Sequence, residues 1–251
     1  MSGKESENHF KTRRGFVKSS FIAIAGAGLS LCTPRPSVAD SPGDSGQWRY
    51  ELEFYEKPRL TPYWLEKSFS HLELSENEST IENVASQFSI DPHVLLALLI
   101  TESPLNTNTS YAGAEGAFQI IPQTRLGLIQ MIDDSPILTI KRDSLNISVS
   151  NLKDPDSFKA GAFLACVYLE EAGVPRGKIS SEAQDYERKL EAVRKAAIRY
   201  HDGINCDVEN PTENGRLEGE RVVAILELLK GSKKKTDISS ELAYFLGIQK
   251  P

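Results

Sequence analysis

Glu102 stands two residues after the apolar run VLLALLI (Val94 to Ile100), and a polar, glycine-bearing stretch follows it, TESPLNTNTSYAGAEGAFQIIPQT (residues 101–124). Leu95, Leu98, Leu99 and Glu102 lie three, four and seven residues apart, so on a helix they share one face. A carboxyl at the end of such a stripe is pushed toward its neutral form by burial, and the negative end of the helix dipole acts in the same sense. An acid still protonated near neutrality can give its proton to a leaving oxygen. Gly113, Ala114 and Gly116 leave room for a ligand to approach the main chain. Gln119 can both donate and accept hydrogen bonds, which suits hydroxyl and acetamide groups.

The elements that must hold these residues are helical. Ser79 and Glu82 fit a capping box that opens a helix, and Ile81, Val84, Ala85 and Phe88 follow at helical spacing. Asp91-Pro92 places a capping acid before a proline at the start of the central apolar helix. Asp154-Pro155 reads as a second such start, with Phe158, Ala162, Ala165 and Leu169 as a stripe ended by Gly173. Gly161, Ala162 and Ala165 are small enough to let another element come close. A capping box at Ser181 and Gln184 opens the next helix, with Tyr186, Leu190, Val193, Ala197 and Tyr200 as its buried face and Gly203 as its stop. Arg216–Lys230 and Ile238–Leu246 are two further helices, joined by a solvated connector at Lys233-Lys234-Lys235. No strand alternation and no repeat is visible, so the fold class is mostly α.

The chain has 251 residues and a formal charge of −6. Residues 1–39 carry a net +4 and the remainder −10. An acidic body argues against nucleic acid as the partner. No apolar run reaches the ~20 residues needed to span a bilayer. Residues 1–39 read as an export signal: a basic segment, the apolar FIAIAGAGLSL (Phe21 to Leu31), and a small-x-small cleavage site ending near Ala39. Residues 12–18, TRRGFVK, resemble the twin-arginine export motif. That resemblance implies transport of the folded protein into a bacterial periplasm. Residues 40–75 form a linker and N-terminal extension, 76–230 the main domain and 231–251 a C-terminal helix. An oxidising compartment permits a disulfide between Cys166 and Cys206, and two buried thiols are the alternative. His71, His93 and His201 are too scattered for a metal site. No cofactor motif is present, and the expectation is a monomer without cofactor or metal.

Three blocks carry a family resemblance. Glu102-Ser103, Ser110-x-x-Gly113-Ala114-x-Gly116, Gln119 and Pro122-x-Thr124 form the first. Asn151-Leu152-x-Asp154-Pro155 with Ala160-Gly161-x-x-x-Leu164 forms the second, and Ala197-Ile198-x-Tyr200-x-x-Gly203 the third. In this order they resemble the soluble lytic transglycosylases of the goose-type-lysozyme superfamily, over some 120 to 130 residues from Ile90 to Asn210. The resemblance implies a lysozyme-like α domain with a glycan-binding groove. It implies cleavage of the β-1,4 bond between N-acetylmuramic acid and N-acetylglucosamine in peptidoglycan, without net addition of water, leaving 1,6-anhydromuramyl ends. Glu102 would act first as acid and then as base, with the substrate's N-acetyl group supporting the anomeric carbon. Ser103, Ser110, Gly113, Ala114, Gln119 and Tyr200 would bind substrate, Tyr200 with its hydroxyl near the glutamate. Cell-wall or secretion machinery would be the partner beyond the glycan strand. His201 and Asp202 stand where the family has Asn and Ala, and Ala117-Phe118 where it has Leu-Met. Glu115 and Asp202 add acids near the expected cleft, and a carboxylate across the sugar would instead give a hydrolytic muramidase. A peptidoglycan-binding protein without turnover is the third reading.

Overall fold

The structure is a computed structural model, and it describes residue 60 and residues 69–102, 113–232 and 239–246. All lie in one unit, 54–251. The export signal, Ser103, Ser110 and the lysine connector fall outside the described residues. A 3-10 turn at Ser70–Leu72 leads into α1, Leu74–Gln87. Then come α2, Pro92–Glu102, α3, Pro122–Asp134, α4, Pro136–Ser144, and α5, Val149–Lys153. They are followed by α6, Phe158–Glu171, α7, Tyr186–Asp202, α8, Glu213–Leu229, and the short α9, Ser240–Phe245. Among the described residues, strand-like pairing is limited to two isolated bridges, Ile90 with Gly177 and Glu115 with Ile120. The mostly α fold follows from the helical periodicity.

Helix α2 is the centre. Every residue from Val94 to Thr101 is buried, as a helix apolar on all sides requires. It packs against α1, α6 and α8. Its start is fixed by Asp91, which is 1% exposed. Asp91 accepts from the His93 amide at 3.0 Å and from the Ile179 amide at 2.7 Å, and the Lys230 ammonium, at the end of α8, donates to it as well. Burial alone would raise the Asp91 pKa. The bonds from His93, Ile179 and Lys230 overcome that and hold it well below the ordinary carboxylate range.

Three expected helix starts are placed differently. Ser79 and Glu82 lie inside α1, which begins five residues before Ser79 with Glu73 in a left-handed conformation and no side-chain cap. Asp154 ends α5 instead of opening α6; its Oδ1 accepts from the Asp156 amide at 3.0 Å, a local turn that delays α6 to Phe158. Ser181 and Gln184 form no box, because α7 starts at Tyr186. A reciprocal capping box does form at Ser148 and Asn151, opening α5. Gly173 and Gly203, both at positive φ, follow α6 and α7 as read from the sequence. Cys166 is buried, Cys206 is partly exposed, and both are free thiols.

Candidate active site

A cavity of about 360 Å3 opens at the C-terminal end of α2, within the size range of small-ligand sites. Glu102, Ala114, Gln119, Tyr200, His201, Glu218, Arg221 and Phe245 are among its lining residues. Four of the residues expected to form the site therefore meet in one place: Glu102, Ala114, Gln119 and Tyr200. Gly113 is close in sequence but does not line the cavity.

The wall formed by residues 115–120 is a tight hairpin. Glu115 and Ile120 exchange backbone hydrogen bonds at 3.2 and 3.1 Å, and Gly116 and Gln119 both sit at positive φ between them. Gly116 is required by contact as well as by conformation: a Cβ there would lie 2.2 Å from the Pro155 carbonyl oxygen. The first and second sequence blocks thus meet backbone to backbone. The Gln119 amide nitrogen donates to the Gly116 carbonyl at 2.8 Å, which braces the turn while the residue lines the cavity. Phe118 is buried; its ring packs against Phe158 and lies over Gly161, whose missing side chain makes the room. The small residue at Gly161 therefore admits a phenyl ring.

The third block joins the same wall. Tyr200, near the end of α7, donates its hydroxyl hydrogen to the Phe118 carbonyl at 2.8 Å. Its ring meets Tyr168 edge-on, with centroids 5.0 Å apart, and the Tyr168 hydroxyl donates to the Arg199 carbonyl at 2.7 Å. Burial, then the neighbouring Glu102, push the Tyr200 pKa well above its ordinary value. Its hydroxyl therefore stays protonated and acts as a neutral hydrogen-bonding group.

Glu218 was not singled out in the sequence, and it is the residue that faces Glu102. It is 7% exposed, on the inner side of α8. Both carboxyl groups line the cavity, close enough for each to shift the ionisation of the other. Burial first, and the Glu218 carboxylate second, raise the Glu102 pKa well above the usual value. Burial also raises Glu218, while His201, Arg221 and Glu102 pull it back. The proton of the pair therefore rests on Glu102. Glu218 Oε1 is buried with no hydrogen-bond partner among the described residues, which disfavours charge on both carboxyls at once. Two glycines bring α8 this close to α7. A Cβ at Gly219 would lie 2.9 Å from Ile198 Cγ1, and one at Gly215 would strike the Asp202 carboxyl. A sequence signal for Glu218 existed: it stands four residues before Val222 and seven before Ile225, on the buried stripe of its helix.

The other acids near the expected cleft serve different ends. Asp202 accepts from the Thr212 amide at 2.8 Å and hydroxyl at 2.6 Å, while the Thr212 hydroxyl caps α8 at the Gly215 amide. It also takes the Nδ1 side of His201 at 2.9 Å, which leaves the rest of that ring on the cavity. Glu115 belongs to the hairpin bridge, and neither Asp202 nor Glu115 lines the cavity. Among the described residues no cluster of His, Cys, Asp and Glu could hold a metal ion, and no helix is long and apolar enough to cross a membrane.

Comparison of the chain with protein-family models, with curated proteins and with solved structures finds no match.

Proposed function

We propose that the chain is a lytic transglycosylase of peptidoglycan, exported to the periplasm, with Glu102 as its acid and base. The observation that carries this reading is the placement of Glu102, at the end of the buried helix α2 and in a cavity that Gln119, Tyr200, His201 and Glu218 also line. In the first step Glu102 gives its proton to the glycosidic oxygen as the C1–O bond breaks. The substrate's N-acetyl oxygen supports C1. In the second step the Glu102 carboxylate takes the proton of the muramyl 6-hydroxyl as that oxygen bonds to C1, which closes the anhydro ring and restores the acid. No water is consumed.

A hydrolase would need a carboxylate across the sugar, with roughly 5–5.5 Å between carboxyl groups for retention or about 6.5–9.5 Å for inversion. Glu218 is close enough to raise the Glu102 pKa, and among the described residues no other acid lines the cavity. Residues 103–112, SPLNTNTSYA, contain no acid. The geometry therefore favours the one-acid reaction. Mass spectrometry of peptidoglycan digested by the full chain tests it: 1,6-anhydromuramyl products are expected, and Glu102→Gln should release none. Reducing ends in their place would assign a muramidase. Strand binding without any release would assign a binding protein.

A further inference from the structure

Arg125 is 5% exposed, yet it does not line the cavity. It sits in the first turn of α3, its amide donating to the Ile121 carbonyl at 2.9 Å. Its guanidinium reaches across to the end of α5, where Nη1 donates to the Leu152 carbonyl at 3.1 Å and makes a longer contact of 3.5 Å with the Asp154 carbonyl. The next carbonyl along that turn, Pro155, is the one pressed against Gly116. Gly116 opens the hairpin whose Phe118 carbonyl holds the Tyr200 hydroxyl. One buried cation thus ties down the turn on which the cavity wall rests. Both contacts are made by Nη1, and Nε is buried with no hydrogen-bond partner among the described residues. Its charge also acts on Tyr200, opposing the rise that burial and Glu102 impose there.

We propose that Arg125 is a positioning residue for the Glu102 site, acting through the 152–155 turn, the 115–120 hairpin and the Tyr200 hydroxyl. Its catalytic consequence rests on the transglycosylase reading above; the structural linkage does not.

The test uses the full chain with its tyrosines labelled at Cζ, and NMR signals assigned through Tyr200→Phe and Tyr186→Phe. In Arg125→Met, which keeps an apolar stem in place, the Tyr200 signal should move. The Tyr186 signal should stay, because its hydroxyl meets Ser232 Oγ at the opposite end of α7. Arg125→Lys keeps the charge and should shift Tyr200 less; it carries the same test if the Met variant does not fold. On glycan strands, Arg125→Met should lower kcat about tenfold with KM within about twofold. The double variant with Tyr200→Phe should be no slower than Tyr200→Phe alone. An unmoved Tyr200 signal, a joint shift of both tyrosines, or losses that multiply would overturn the proposal. A Tyr200 shift in a chain whose wild type releases no glycan product would keep the linkage and sink the transglycosylase reading.

Discussion

Glu102, the last residue of α2, meets Glu218 of α8 at the cavity, and each carboxyl changes what the other can do. The Glu218 carboxylate, next after burial, keeps the proton on Glu102. Glu218→Gln removes that like charge, so the Glu102 pKa falls. An acid catalyst is active only while protonated, so the alkaline limb of kcat/KM should move to lower pH in Glu218→Gln. Turnover well below that limb should survive, whereas Glu102→Gln should be inactive at every pH. A pH profile of both variants checks this, and an unmoved alkaline limb would show that Glu218 does not tune the acid.

The same pair has a cost in stability whose sign is fixed. Both carboxyls have folded pKa values above the unfolded glutamate value of about 4.3. Their favourable contribution is therefore complete below that pH and is lost as pH rises through the folded values. Glu218→Gln removes part of that loss. Its melting temperature should equal that of the wild type near pH 4 and exceed it by a few degrees at pH 8, about the effect of 1 kcal/mol in a domain of this size. Thermal melts at the two pH values decide it; a variant less stable at pH 8 would contradict a pair destabilised by ionisation.

Local pattern and tertiary contact divide what could be read in advance. The burial of α2 and the face carrying Glu102 were legible because continuous hydrophobicity and three-four spacing are local signals. The Tyr200 stripe and its glycine stop were legible for the same reason. The bond from Tyr200 to the Phe118 carbonyl spans 82 residues, and no local pattern encodes it. Asp202 looked like a cleft acid because its partner Thr212 lies ten residues on, across a turn. Glu218 stands in LEGERVV, a charged run that reads as solvated surface, although its place on the apolar stripe said otherwise. The capping boxes at Ser79 and Ser181 fit the letter pattern alone. A helix start also needs a preceding backbone break, and those breaks fall at Glu73 and Asp185.

Asp91 and Lys230 make a second pair of the opposite kind, joining the start of α2 to the end of α8. Their side chains are 1% and 14% exposed. Asp91→Ala would leave the Lys230 charge, the His93 amide and the Ile179 amide without their acceptor. Breaking one side of a buried pair costs about 3–5 kcal/mol. Because the folded Asp91 pKa is depressed, its contribution is present above the unfolded value of about 3.9 and is lost as pH falls through the folded value. Urea unfolding at pH 7 and at pH 3 should therefore show a large difference between wild type and variant that shrinks in acid. Equal differences at both pH values would mean that the loss is one of packing and not of charge.

Gly116 and Gly113 separate backbone strain from close contact at the cavity wall. Both have positive φ, 73° and 77°, so a Cβ strains either position. Only Gly116 also faces the Pro155 carbonyl oxygen, 2.2 Å from where a Cβ would sit, while Gly113 has nothing within 4 Å. Gly113→Ala should cost about 1 kcal/mol. Gly116→Ala should cost about 3 kcal/mol or more, because the hairpin must move off the 152–155 turn. That movement carries the Phe118 carbonyl away from Tyr200, so kcat on glycan strands should fall in Gly116→Ala further than in Gly113→Ala at a temperature where both are folded. Denaturant melts and turnover measured on the two variants together test it: equal stability losses would place the Pro155 contact outside what holds the wall.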